Sequence, residues 1–266
     1  MDFTPHQYHL LLIALRDAGY TFVPMEAFAE QQGKKVVCLR HDVDKRPLMA
    51  LPIARIERHL GIKATYYFRS LNDPKQPFVM RQIAALGHEL GYHYEDMRLA
   101  QGDADKAFTH FREQLAYFRT FYPVSTICMH GAPTSPFDGK ALWDTHNYHA
   151  LGITTEPYLD LDYSKVFYLT DTGRCWDGFL SSVRDKIPQF QDQWTACGLV
   201  FHTTQQLIQG LPKIQQTFAA QPHSLLITTH PQRWTDNRLI WWTEYLMQPI
   251  KNEMKKKIIR NKYTIL

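Results

Sequence analysis

Directly after the apolar run Val36-Val37-Cys38-Leu39, the chain sets Arg40, His41, Asp42, Asp44, Lys45 and Arg46 almost side by side. Alternate residues of a strand share a face, so Asp42 and Asp44 would project together. Two neighbouring carboxylates repel unless a cation, a proton or an arginine stands between them. Four further β-rich runs lead into similar residues. They are His93-Tyr94-Glu95-Asp96, His130-Gly131-Ala132-Pro133, Asp171-Thr172-Gly173-Arg174 and His230-Pro231-Gln232-Arg233. One histidine at a strand end is more often a satisfied cap than a ligand. Five strand ends carrying His, Asp, Glu or Arg point to a reaction centre.

Imidazole and carboxylate ligands together suit zinc and other borderline divalent ions. Such an ion lowers the pKa of its bound water to about 7. A second carboxylate can then take the water's proton, and a more distant histidine can protonate the leaving group. Competing chemistries lack their motifs. There is no G-x-G-x-x-G and no G-x-x-x-x-G-K-[ST] to hold a nucleotide. There is no G-x-S-x-G nucleophile turn, and no cysteine beside a base.

The elements that must position these residues are read from periodicity. Thr4 as N-cap, Pro5 at the first helical position and apolar Tyr8, Leu11, Leu12 and Leu15 predict a helix over 4–18, stopped by Gly19. Short β-rich runs then recur as VVCLRH, ATYYFR, ELGYH, STICMH, ITTEP, VFYLTD and SLLITTH. Helical patterns lie between several of them, such as Asp103 to Phe121 with Phe108, Phe111, Leu115 and Phe118 on one face. Strand–helix alternation implies parallel strands joined by crossover helices. About seven such units favour a closed or nearly closed (β/α) barrel over an open sheet. The fold class is therefore read as α/β, one domain over residues 1–266, with the site at the C-terminal rim of the strands.

Composition sets the remaining bounds. The chain is 44% hydrophobic and 13% aromatic, enough for a packed core, with a net charge of +4. Much of that excess sits in KNEMKKKIIRNK, read as a solvated basic helix over about 238–258 packed on the N-terminal one, rather than as a nucleic-acid or membrane patch. The four cysteines form no C-x-x-C pair. MDFTPHQYHLLLIALRDAGY lacks a basic leader region, and no apolar run approaches the ~20 residues of a membrane span. A cytoplasmic protein without nucleic-acid partners is expected.

These motifs, in this order, resemble the polysaccharide deacetylase (NodB-type) superfamily, carbohydrate esterase family 4 and its relatives, from about residue 36 to 235. The resemblance implies a barrel of commonly seven strands, a divalent metal such as zinc, and removal of an acetyl group from an N-acetylated sugar or oligosaccharide. RHDVD is similar to the family's Thr-Phe-Asp-Asp-Gly, with Val43 inserted, which makes Asp42 the base and Asp44 a metal ligand. GHELGYHYED resembles the family's Gly-His-Glu-Ile-Gly-Asn-His motif, which makes His93 a ligand. The family's second histidine would fall at Met97, so either Glu95, Asp96 or His130 supplies the missing ligand, with Asp96 and His130 ranked first, or the metal is held by fewer protein groups. MHGAP stands in place of an Arg-Pro-Pro-Tyr element. LLITTHPQRW is similar to the closing Leu-x-Leu-His motif, which makes His230 the general acid. The departure at Met97 marks a divergent branch, whose relatives act on other amides as well. Arg174, Trp176, Arg233 and Tyr158 are expected to contact substrate, and either Arg40 or Arg174 to hold Asp42 ionised. A catalytically silent carbohydrate-binding relative is the alternative.

Overall fold

The computed structural model describes residues 1–131, 135–176, 197–220 and 223–247. Helix α1 (Pro5–Asp17) starts where Thr4 accepts a hydrogen bond from the Gln7 amide, and it buries Tyr8, Leu11, Leu12 and Leu15. The chain leaves it through Gly19, whose φ of +82° is costly for any residue with a Cβ. Seven strands follow among the described residues: β1 (Thr21–Phe22), β2 (Val36–Val43), β3 (Thr65–Phe68), β4 (Glu89–Tyr94), β5 (Ile127–Met129), β6 (Val166–Thr170) and β7 (Ser224–Thr229). All pairings are parallel, in the order β5-β4-β3-β2-β7-β6, with β1 beside the start of β2.

Helices surround this sheet: α2 (Met25–Phe28), α3 (Ala50–His59), α4 (Gln76–Ala85), α5 (Asp96–Leu99), α6 (Ala104–Arg119), α7 (Pro157–Asp160), α8 (Thr204–Thr217) and α9, residues 238–247. Helix α6 is capped by Asp103, which accepts from the Lys106 amide, and buries Phe111, Leu115 and Phe118. Strand β2 is buried along its whole length, as expected when both faces of a parallel sheet are covered.

This is the α/β, barrel-like architecture expected, realised as a curled half-barrel whose main path has, among the described residues, six strands rather than seven. ITTEP contributes only an isolated bridge between Thr155 and Thr126. The reason is local. Glu156 caps α7 by accepting from the Tyr158 and Leu159 amides at 2.6 and 3.1 Å, and Pro157 cannot donate to a ladder. The two-residue β1 is too short to leave a pattern, and sequence periodicity misses it. Pro133 and residues 248–258 of the expected C-terminal helix lie outside the described residues.

Candidate active site

The rim is built by the strand ends singled out in the sequence. Arg40 and Asp42 lie on one face of β2, while His41 turns to the other. There His41 meets Glu57 of α3 at 2.6 Å and Thr229 at 2.6 Å, with the Tyr8 hydroxyl on the same carboxylate at 2.5 Å. His41 therefore ties β2 to its helices and takes no part in the rim. His88, also buried, accepts from the Ala64 amide and donates to the Ala54 carbonyl. Gly91 leaves room beneath the rim, since a Cβ there would stand 2.3 Å from the Tyr67 ring. The Tyr67 ring lies under the Arg40 guanidinium, 5.9 Å from its centre.

Asp42 is held by Arg40 in a two-pronged contact, Nε to Oδ1 at 2.9 Å and Nη2 to Oδ2 at 2.7 Å. Burial by itself would raise the Asp42 carboxyl, but the Arg40 guanidinium, with smaller help from His93, holds it well below the usual carboxylate range. Tyr158 contacts Arg40, its hydroxyl accepting from Nη1 at 3.2 Å and its ring 5.2 Å from the guanidinium.

Asp44 lies one residue past the end of β2, its amide turned back to the Asp42 carbonyl at 3.1 Å. Its Oδ1 is buried and has no hydrogen-bond partner among the described residues. That oxygen faces His93 Nε2 at 3.6 Å and His130 Nε2 at 3.5 Å. These separations are long for hydrogen bonds. They lie a little above the roughly 3.3–3.4 Å between ligand atoms that share a tetrahedral ion at ~2.0–2.1 Å. The ligand atoms of Asp44, His93 and His130 all lie within 4.8 Å of one another. These three residues fit a divalent ion.

Both imidazoles are set for that task by what lies behind them. His93 Nδ1 donates to the Cys128 carbonyl at 2.9 Å, and His130 Nδ1 to Glu95 Oε2 at 3.1 Å. Each Nε2 lone pair is thereby left for the ion. Burial pushes His93 down to about 4, which favours the neutral form that binds metal. Burial would raise Glu95, yet His130 and Arg69 hold it down to about 2. Arg69 also donates to the Asp44 carbonyl at 3.1 Å, so one guanidinium joins the loops after β2 and β4.

Across the rim, His230 Nε2 lies 3.7 Å from Asp44 Oδ2, while its Nδ1 donates to Asp171 Oδ1 at 2.6 Å. Asp171 is fully buried and also accepts from the His230 amide, from Arg233 Nη1 and from Trp234 Nε1. Burial would raise the Asp171 carboxyl, but Arg233 and His230 keep it lowered. The arrangement fixes the His230 ring with Nε2 directed at the rim.

Several expectations need correction. Asp96 is no ligand in this geometry. It accepts from the Tyr92 hydroxyl at 2.9 Å and meets His110 Nδ1 at 2.5 Å, behind the rim. Trp176 is buried and donates to the Thr204 hydroxyl at 3.1 Å, so it offers no face to a sugar. Arg174 stacks between Phe3 and Trp241, 5.2 and 4.9 Å from their ring centres, and it is Arg40 that pairs with Asp42. Arg233 positions Asp171. Met97 packs in the core. Sequence reasoning misses the role of Asp171 outright. Its signal is an aspartate at one strand end facing a histidine at the end of the neighbouring strand.

No family model matches the chain, and no curated protein matches it. Solved structures do. The catalytic domain of a peptidoglycan N-acetylglucosamine deacetylase from Eubacterium rectale is similar at 13% identity, covering 80% of this chain and 82% of that one, with a TM-score of 0.45. PdaA of Bacillus subtilis, a family 4 carbohydrate esterase, is similar at 12% identity over 91% and 84% of the two chains, with a TM-score of 0.40. A mutant of a family 4 pseudoenzyme with restored enzymatic activity matches at 12% identity over 73% and 65%, with a TM-score of 0.40. The chain is thus similar to carbohydrate esterase 4 deacetylases at low identity, and what its site can do rests on the site's own geometry.

Proposed function

We propose that this chain is a metal-dependent amide hydrolase that removes an acyl group, an acetyl group in the first instance, from an N-acylated sugar or sugar precursor. The observation that carries the reading is the orphaned Asp44 Oδ1 facing two imidazole nitrogens whose other nitrogens are already committed. Asp44, His93 and His130 would hold the divalent ion, zinc suiting this donor set, and it would supply an activated water and polarise the acyl oxygen.

The chain's own residues do the rest. Asp42, kept ionised by Arg40, takes the proton from the attacking water as its oxygen bonds to the acyl carbon. His230, steadied by Asp171, gives the Nε2 proton to the leaving nitrogen as the C–N bond breaks, releasing carboxylate and amine. Without that proton the nitrogen would leave as an unstable anion, so an acid on the far side of the acyl carbon is required. Tyr158, half-buried with its hydroxyl on Arg40, forms a polar wall beside Asp42 and is assigned here to meet a sugar hydroxyl.

The test is a hydrolysis screen with added zinc over N-acetylated sugars, sugar nucleotides, short oligomers and simple linear or cyclic amides, read as free acetate or amine. Turnover of one N-acylated sugar class that is lost in Asp42→Asn supports the reading. Turnover confined to simple amides would move the chain to another class of C–N hydrolase. No turnover with any divalent ion would leave a silent sugar-binding relative.

A further inference from the structure

Among the described residues the main path of the sheet ends at β5 on one side and at β6 on the other, so these two strands are the edges of the half-barrel. An edge strand presents backbone amides that need acceptors. In β5 the amides of Ile127 and Met129 donate away from β4. That of Ile127 meets the Thr155 carbonyl at 3.0 Å, as it would meet a strand partner. That of Met129 meets a side chain, Glu156 Oε1, at 2.9 Å. One carboxylate oxygen thus takes the place of the carbonyl that a further strand would offer.

The other oxygen, Oε2, accepts from the Tyr158 and Leu159 amides at the start of α7, and the Tyr94 hydroxyl adds a donor to Oε1 at 3.3 Å. Glu156 is fully buried, and four donors compensate for taking a carboxylate out of water. A helix cap alone does not require this. A Ser, Thr, Asn or Asp satisfies the first amides with a shorter side chain. Capping also leaves Oε1 unexplained, for that oxygen reaches the backbone immediately before His130. On the α7 side, Tyr158 follows Glu156 by two residues and stands against Arg40, 118 residues earlier in the chain. The two oxygens therefore lead to two parts of the rim, the His130 imidazole and the guanidinium that holds Asp42.

We propose that Glu156 is a positioning residue, which closes the free edge of β5 and sets His130 and Tyr158 relative to one another. The proposal rests on the reading of His130 as a metal ligand and of Asp42 with Arg40 as the base. Glu156 acts through the Met129 amide on one side and through α7 on the other. Three of its four partners are backbone amides, which can only donate. An isosteric side-chain amide therefore cannot replace it. In Glu156→Gln one oxygen becomes an NH2 group, which opposes a donor wherever it points. The two α7 amides hold the remaining oxygen, so the Met129 amide loses its acceptor.

The test uses the full chain and NMR, without substrate. In the wild type the Met129 amide should exchange slowly with solvent. In Glu156→Gln it should exchange about 10–100-fold faster relative to the amides of β2, the worth of one hydrogen bond to a charged acceptor. A general loss of stability would instead speed β2 equally. The ring signals of Tyr158, identified with Tyr158→Phe, should shift in Glu156→Gln. Zinc, followed by competition with a chelating dye, should bind about 10-fold more weakly to Glu156→Gln and unchanged to Tyr158→Phe. If Glu156→Gln does not fold, Glu156→Asp, too short to span both partners, gives the same readings. The proposal is overturned if Met129 exchange, the Tyr158 ring signals or zinc affinity stays at the wild-type value, for Glu156 then only caps α7. A wild-type chain that binds no zinc would sink the metal reading of the rim, and exchange and ring signals would then decide the role of Glu156 by themselves.

Discussion

Replacing Arg40 with Met separates the base from the cation that holds it. The pair makes two hydrogen bonds, and its side chains are 0% and 5% exposed. Removing the guanidinium leaves a buried carboxylate without compensation, a loss of roughly 3–5 kcal/mol. That is a large share of the ~5–15 kcal/mol by which domains are stable. The Asp42 carboxyl is depressed in the folded chain. Its contribution to stability is therefore present above the unfolded value of ~3.9 and is lost as pH falls through the folded one. At neutral pH the wild-type chain has the full contribution and Arg40→Met has none. The assay is urea unfolding at neutral pH of Arg40→Met, Asp42→Asn and the double variant. The double variant should recover much of what Arg40→Met loses. In Arg40→Met the acid limb of kcat/KM should also move to higher pH, since burial is no longer opposed by the guanidinium. Single losses that add to within ~0.5 kcal/mol, with an unmoved acid limb, would show that Arg40 is not what keeps Asp42 ionised.

His230→Ala should keep metal and fold but lose roughly 10²–10⁴-fold on amides, and less on an activated ester whose leaving group needs no proton; equal losses on both would assign His230 to binding. Glu95→Gln should weaken zinc binding about 10–100-fold by loosening His130, whereas Asp96→Asn should leave it unchanged, both read by competition with a chelating dye. Glu89, buried among Thr65 and Thr126, is raised to about 7 by that burial. The folded state thus binds its proton more tightly, so full stability holds below the unfolded value of ~4.3 and is lost as pH rises through 7, to the extent of about 3–4 kcal/mol. Glu89→Gln should therefore gain stability relative to wild type between pH 5 and 8 in thermal unfolding, and a constant difference would exclude the buried acid as the cause.

The strand ends are legible in the sequence because each apolar run stops at a residue that a core does not want. Periodicity marks α1 and α6 through their caps and apolar faces, down to Thr4 and Asp103. It does not show that ITTEP ends in a helix cap, because Glu156 acts through two amides that are presented together only once α7 has formed. At the site, Asp42, Asp44, His93, His130 and His230 are brought to one rim, and Asp96 is not. Glu95 and Asp96 are adjacent in the chain, and which of the two faces His130 depends on how the backbone enters α5. Trp176 is ambiguous in sequence because an indole beside a turn reads equally as core or platform; the Thr204 hydroxyl decides it. Asp171 is positioned by donors from His230 and the turn after β7, a partnership that spans 59 residues.

Anomalous diffraction at the zinc edge, from crystals grown with zinc, bears on the metal site without any assay of activity. One peak is expected among Asp44 Oδ1, His93 Nε2 and His130 Nε2, with bonds of about 2.0–2.2 Å. A peak elsewhere, such as between Asp96 and His110, or no peak with these three side chains ordered, would contradict the assignment of Asp44, His93 and His130 as ligands.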